Sequence, residues 1–415
     1  MRPQAVRRRS QPQVRFSGLN LGRKHRPDYW LLMLCVTLLA VGLIVVYAIS
    51  PALSAANHVS NGYYVGKQLI AIGLSAVAFV VTSQVPLEWW RRAYKPLLVA
   101  AGAVTLLALA LPVNPIYPAH RWVRVGSFSF QSVELVKFAV MIWLAGMLAE
   151  RVKQGTITHV QITLKPLAIA LGVIAVVVAG IQSDLGSTGV IVAMMTVMAY
   201  VAGLPLKRIM LIGGLICLML VLAVSSTPYR RERLSTFLHP ESNCQTSGYQ
   251  ACQALIAVGS GGMIGLGLGS SVQAYGYLPE AANDSIFAIY AEKFGFIGSV
   301  VLLGVFMAFF ARLRYIAERT SDDFSRLIVV GVLTWLSTQA LINIGAMIGL
   351  LPLKGITLPF ISYGGTSVVF IAAAVGLVFQ ISQYTSYSTP RLSSDGGDRR
   401  DLRRQSARRA YYEPN

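Results

Sequence analysis

The fold this sequence predicts is an all-α integral membrane protein with ten transmembrane helices, both termini cytoplasmic, and a long extracytoplasmic loop between helices 7 and 8. Three observations carry that prediction. Of the 415 residues 54% are hydrophobic and only 13% are charged, against about 25% charged in soluble domains, and mean hydropathy is +0.58. Apolar runs close to the roughly 17–25 residues a bilayer crossing needs recur along most of the chain. Basic residues are dense in alternate loops, as the positive-inside rule requires of an even number of spans with both ends inside.

The ten runs fall at 29–50, 67–85, 96–111, 132–149, 166–181, 186–202, 207–225, 286–310, 327–351 and 367–381. The first is longer than the apolar region of a signal peptide and no small-residue cleavage site follows it, so it reads as a retained anchor. With the spans drawn, 27 of the 36 Lys and Arg fall on one side, seven on the other, and Lys137 and Lys293 within spans. The net charge of +19 therefore belongs to topology and anionic membrane lipids, and no nucleic-acid partner is expected. Residues 1–28 and 382–415, rich in Arg, Ser and Gly, are expected as disordered basic cytoplasmic tails around one membrane domain at 29–381.

Two external loops are long enough to carry function. In 112–131, Arg121-Trp122-Val123-Arg124 places guanidinium beside aromatic rings, which suits either an interfacial anchoring belt or contact with phosphate. The loop 226–285 carries Cys244 and Cys252, for which a disulfide is expected on the oxidising side. Its glycine-rich stretch 259–269 lacks the Gly-Lys-Ser/Thr ending of a nucleotide loop and reads as a flexible or re-entrant segment.

Charges inside spans cost roughly 2.5–3.5 kcal/mol each and need partners or a polar cavity. Glu134 and Lys137, three apart, lie on one helix face and read either as a neutralising pair or as the lining of a head-group site. Glu292 and Lys293 repeat the pattern in the eighth run, and Glu292 comes about 80° around a helix from Asp284, so that both could face one cavity. Asp184 before the sixth run and Asp284 before the eighth can each be a helix cap or a functional acid. Gln339 and Asn343 suit interhelical hydrogen bonding, and 351–367, with two prolines and Lys354, reads as a shaped turn at an external cavity.

Asn343-Ile344-Gly345, Ile348-Gly349-Leu350-Leu351-Pro352 and Leu358-Pro359-Phe360-Ile361-Ser362-Tyr363-Gly364-Gly365-Thr366-Ser367 resemble the signature of the SEDS family, the FtsW and RodA proteins of bacterial division and elongation. Arg121-Trp122, Phe130-Gln131 with Glu134 and Lys137, Gln182 with Asp184-Leu185-Gly186, Tyr229-Arg230 with Arg233, and Leu278-Pro279-Glu280 with Asp284 and Phe287 resemble further family segments in the same order. The likeness covers roughly 28–385. It implies a peptidoglycan glycosyltransferase that polymerises lipid II at the outer face of the cytoplasmic membrane, with Asp284 at the catalytic aspartate position and a class B penicillin-binding protein as partner. The wording Lys354-Gly355-Ile356-Thr357 leans toward the division branch, and so toward the septum. The sequence departs from the family at Ser132-Val133, where Pro-Ser is usual, and at Ala282-Asn283, where His-Thr commonly stands before the aspartate.

A lipid diphosphate is already a good leaving group, so one base plus positive charge near the diphosphate suffices, where glycosidases use two carboxylates. Asp284 is the expected base. Arg121, Arg124, Lys137 and Lys354 are candidate diphosphate contacts, and Glu134, Glu292 and Ser362 complete the expected substrate site. A divalent cation could share the neutralising role, though no metal-ligand cluster is visible in the sequence. The rival readings are a flippase for the same lipid, using Glu134, Lys137 and Glu292 as a transit path, an elongation-type polymerase, and a noncatalytic division scaffold.

Overall fold

The computed structural model describes residues 25–111, 122–125, 128–210, 213–214, 237, 244–246 and 248–385. Ten helices delimited at both ends and one two-stranded ribbon lie within them, and the described residues 206–210 and 213–214 are helical as well. The helices are α1 (Tyr29–Ala56), α2 (Tyr63–Gln84), α3 (Leu87–Ala110), α4 (Ser132–Lys153), α5 (Val160–Ile181), α6 (Leu185–Val201), α7 (Tyr249–Ser260), α8 (Ile286–Arg319), α9 (Asp323–Met347) and α10 (Gly365–Ser382). Eight are long and apolar enough to cross a bilayer, and α6, at 17 residues, is a shorter apolar helix. The run expected at 207–225 lies mostly outside the described residues, as do the basic tails except for 25–28 and 382–385.

Burial divides the spans. In α4 and α10 72% of the most apolar window is buried, and in α9 67%, against 17% in α3 and 22% in α2, α5 and α8. The first three form the centre. The others turn apolar side chains such as Val99, Leu106, Val173 and Met307 outward, as helices facing lipid tails must.

The all-α expectation needs one addition. Trp122–Val125 (β1) and Phe128–Gln131 (β2) form an antiparallel hairpin with Val123 opposite Phe130. It is fastened to the start of α10, where the Thr366 hydroxyl donates to Ser129 O at 3.0 Å and the Phe130 ring meets Phe370 edge-on at 5.8 Å. Arg121-Trp122-Val123-Arg124 is thus at least partly a strand docked on the bundle.

Of the two readings of the glycine-rich stretch, flexible or re-entrant, the structure does not support the flexible one. The stretch is pinned in place, because α8 breaks at Gly295 (φ 65°, ψ −164°) and a break leaves helical backbone groups without their i−4 partners. Leu266 N and Gly267 N donate to Glu292 O and Lys293 O at 2.9 and 3.0 Å, and Phe296 N and Ile297 N donate to Gly262 O and Met263 O at 2.8 and 3.0 Å. Only glycine allows such an approach: a Cβ at Gly261 would lie 2.1 Å from Ala291 O, and one at Gly265 (φ +84°) 2.2 Å from Lys293 O.

At the end that the charge count assigns to the cytoplasm, Arg312 pairs with Asp28 at 2.6 Å and Arg91 with Asp322 at 2.5 Å. Asp28 also caps α1 through Leu31 N, and its own N–H donates to Ser382 Oγ, so the two ends of the membrane domain meet there.

Candidate active site

The turn 351–364 between α9 and α10 organises the opposite end. Pro352 and Pro359 interrupt helix formation, and Phe360 takes a left-handed φ of 66°, a conformation of uncommon cost for an aromatic residue. What offsets that cost is contact. Gly42 of α1 lets the turn so close that a Cβ there would lie 2.6 Å from Phe360 O, and at Gly186 of α6 one would lie 2.5 Å from Ile356 Cγ1 and 3.2 Å from Lys354 Cβ.

From α9, Gln339 Nε2 donates to Thr357 O at 2.9 Å, and Asn343 Nδ2 donates to Ile356 O and to Asp284 O, both at 2.7 Å. The last bond joins the turn to the segment ahead of α8. Tyr363 N donates to Ala282 O at 2.9 Å, and the Ser362 hydroxyl donates to Asn283 O at 2.6 Å while accepting from Leu358 N at 2.7 Å. Three consecutive carbonyls, of Ala282, Asn283 and Asp284, are thereby tied to α9 and the turn. The half-buried Asp284 carboxylate is held against the glycine beside Lys354: a Cβ at Gly355 would stand 3.6 Å from Asp284 Oδ2.

Several expectations are corrected by this geometry. Ser285, not Asp284, occupies the cap position of α8, and it makes no side-chain cap bond. Asp284 precedes the helix, so the helical angle relating it to Glu292 does not apply. Glu292 is 1% exposed and holds the loop instead, accepting from Ser271 Oγ at 2.5 Å, Val272 N at 2.9 Å and Gln273 N at 3.1 Å. The Ser362 hydroxyl is engaged between Asn283 O, to which it donates, and Leu358 N, from which it accepts, so it ties the turn to the segment ahead of α8. Asp184 caps α6, accepting from Ser187 N and Ser187 Oγ at 2.9 Å each.

Glu134 and Lys137 are 3% and 1% exposed and pair at 2.7 Å. The Lys137 ammonium also donates to Gln339 Oε1 at 3.0 Å, which accepts from Trp335 Nε1 at 2.9 Å. The pair lies beneath the turn and anchors it through Gln339, a role for which the i, i+3 spacing was the only sequence signal. Lys137 is therefore enclosed by protein groups and offers no open face to a diphosphate. Arg121 and the Arg124 side chain lie outside the described residues. Cys244 and Cys252 are joined in a disulfide with Cα atoms 5.6 Å apart.

Sequence reasoning missed the tie from Asn343 to Asp284 and the close approaches at Gly42 and Gly186, since nothing local in a sequence says which glycine a distant turn will meet. Among the described residues, no three His, Cys, Asp or Glu side chains converge into a metal site.

Comparison with known proteins gives the family. The family model described as "Cell cycle protein" (FtsW, RodA, SpoVE) matches residues 29–387. A probable peptidoglycan glycosyltransferase FtsW of Saccharophagus degradans is 37% identical over 362 residues, 86% of this chain and 92% of that protein. Stage V sporulation protein E of Bacillus subtilis is 36% identical over 368 residues, 88% of this chain and 99% of that protein. Among solved structures, a chain from work on the coordination of polymerization and crosslinking by a peptidoglycan synthase complex superposes with a TM-score of 0.69 at 25% identity, over 86% of this chain and 97% of that one. The rod shape determining protein RodA of Thermus thermophilus shares the fold, with a TM-score of 0.62 at 24% identity over 88% of this chain and 98% of that one. The chain belongs to the FtsW, RodA and SpoVE family of multi-pass membrane proteins.

Proposed function

We propose that this protein is a peptidoglycan glycosyltransferase that polymerises lipid II into glycan strands at the outer face of the cytoplasmic membrane, for septal wall synthesis in cell division. The observation that carries the reading is the Asp284 carboxylate, set on the Lys354-Gly355 turn by three tied carbonyls, in a chain whose relatives include probable peptidoglycan glycosyltransferases named FtsW.

Asp284 takes the proton of the acceptor sugar 4-hydroxyl. The freed oxygen pair attacks the anomeric carbon of the lipid-linked strand, the bond from that carbon to the diphosphate oxygen breaks, and undecaprenyl diphosphate leaves with the electron pair. Lys354, with Arg121 and Arg124 from the first external loop, supplies positive charge to the leaving group. The ties at 282–284 hold the base at a fixed place before substrate arrives, which lowers the reorganisation needed at the moment of reaction. A divalent cation at this site would be held by the Asp284 carboxylate and would supply further positive charge to the leaving diphosphate.

The flippase reading needs Glu134, Lys137 and Glu292 as a transit path. All three are at most 3% exposed and bonded within the protein, which favours polymerisation. The crosslinking enzyme of the same assembly, a class B penicillin-binding protein, is the partner the reading implies. The test is product formation from labelled lipid II by the purified protein with its partner. Asp284→Asn is expected to abolish long glycan while folding and membrane insertion persist; a folded mutant that still polymerises refutes the assignment.

A further inference from the structure

One group of side chains beside Asp284 is left unused by that chemistry. Tyr63 and Tyr64 open α2, and Tyr363 follows Ser362 in the turn. Tyr64 meets Tyr363 edge-on at 5.5 Å and Tyr63 meets Tyr64 at 5.3 Å. The exposed Lys67 places its ammonium 4.3 Å from the Tyr63 ring centroid and donates to the Tyr63 hydroxyl at 2.5 Å. The Tyr363 N–H is the donor to Ala282 O, two residues from Asp284 and so within about 7 Å of it along the backbone.

We infer that Tyr63, Tyr64, Tyr363 and Lys67 form a saccharide subsite adjoining Asp284, which takes a sugar ring carrying an acidic peptide substituent. The inference rests on the polymerase reading for the identity of the sugar, the acceptor end of lipid II.

The chemistry of the cluster matches such a ligand. A pyranose presents a face of C–H bonds with slight positive charge, and the face of a tyrosine ring is negative. Three linked rings make a wall wide enough for a sugar, and none of the three is fully buried. Burial, with Tyr63 and Tyr64 adding to it, pushes the Tyr363 phenol up to about 12, so it stays a neutral hydroxyl that can donate to a sugar oxygen. Lys67 has three N–H donors and gives one to Tyr63, which leaves donors for a carboxylate at the outer rim. One turn along the Tyr64 face, Gln68 is 1% exposed and neither of its amide atoms has a hydrogen-bond partner among the described residues. Polar capacity thus continues beneath the rings, beyond what the protein itself uses.

The test uses the full chain in nanodiscs with two forms of lipid II, one with free peptide carboxylates and one with them amidated. Lys67→Gln is expected to raise KM for the free-acid form about 3- to 5-fold, the scale of one exposed ion pair, with kcat within about twofold. On the amidated form, Lys67→Gln and the unmodified protein are expected to give the same KM. Tyr64→Leu is expected to raise KM on both forms by about 3- to 10-fold, the scale of a lost ring contact. The same ratios are expected in Kd for lipid II measured in the Asp284→Asn background, where no turnover occurs. Because Lys67 is exposed, its replacement leaves folding intact. Unchanged KM and Kd in Lys67→Gln on the free-acid lipid, or an equal rise on the amidated one, overturns the subsite. An unmodified protein that makes no glycan even with its crosslinking partner in the same nanodiscs overturns the polymerase reading instead, and the Kd ratios still decide the subsite.

Discussion

Two spans of this protein carry an acid and a base in apolar sequence, and the fold uses them in opposite ways. In α4, Glu134 and Lys137 bond to each other at 2.7 Å. In α8, Glu292 and Lys293 go their separate ways, Glu292 to the loop 271–273 and Lys293 to Leu268 O at 2.7 Å. Spacing decides the difference. Residues three apart share a helix face, whereas adjacent residues point about 100° apart and cannot meet. The first pair is a neutral plug beneath the turn 351–364, and the second is two anchors for the external loop that packs against the α8 break. Equal charge content therefore says little about role until the geometry of partners is known.

That contrast predicts a descending series of effects. Lys137→Met leaves Glu134 charged and buried without its ammonium and is expected to destabilise the bundle by about 3–5 kcal/mol, while adding Glu134→Gln restores most of the loss. Denaturation midpoints of the single and double variants check this, and a double variant no better than the single one breaks the plug interpretation. Glu292→Ala is expected to cost about 1.5–3 kcal/mol and to act locally. Hydrogen exchange should speed up at 271–274 with little change in α4 or α9, and a global loss equal to that of Lys137→Met would erase the distinction.

The smallest effect is expected at the opposite end, where Arg91 and Asp322 pair with both side chains partly exposed, 30% and 28%. Burial pushes the Asp322 carboxyl up, but the hydrogen bonds from Arg91 and Ser325 outweigh it and hold the group below its ordinary 3.8. A lowered folded value means that the stabilisation is present above the unfolded value and is lost as pH falls through the folded one. Asp322→Asn is therefore expected to remove about 1 kcal/mol near neutral pH, and the difference from the unmodified protein is expected to shrink as pH falls below 3.8 and through the lowered folded value. Unfolding midpoints across that range measure it.

The spans show how far local pattern reaches. Apolar length found α2, α4, α6, α9 and α10 to within about four residues at each end, because a bilayer imposes that length on any helix crossing it. It understated α8, which runs on to Arg319, since a helix leaving the membrane keeps its hydrogen bonds but loses its apolar signature. At the site, motif order singled out Asp284, Lys354 and Asn343. The same reading placed Ser362 and Lys137 against substrate, because composition cannot tell a hydroxyl or ammonium that faces a cavity from one consumed inside the protein.

The sequence by itself determined that the chain lives in a membrane and which loops carry the basic charge, and its motif order singled out Asp284 as the acid to test. Hydropathy, charge alternation and motif order are properties of short segments and survive without the fold. Only the tertiary structure decided that the glycine-rich stretch fills a helix break, that Asn343 joins Asp284 to the turn, and that three tyrosines and Lys67 gather beside them. Each of these depends on backbone groups or rings far apart in the chain meeting at hydrogen-bonding or van der Waals distance, and no local pattern specifies that meeting.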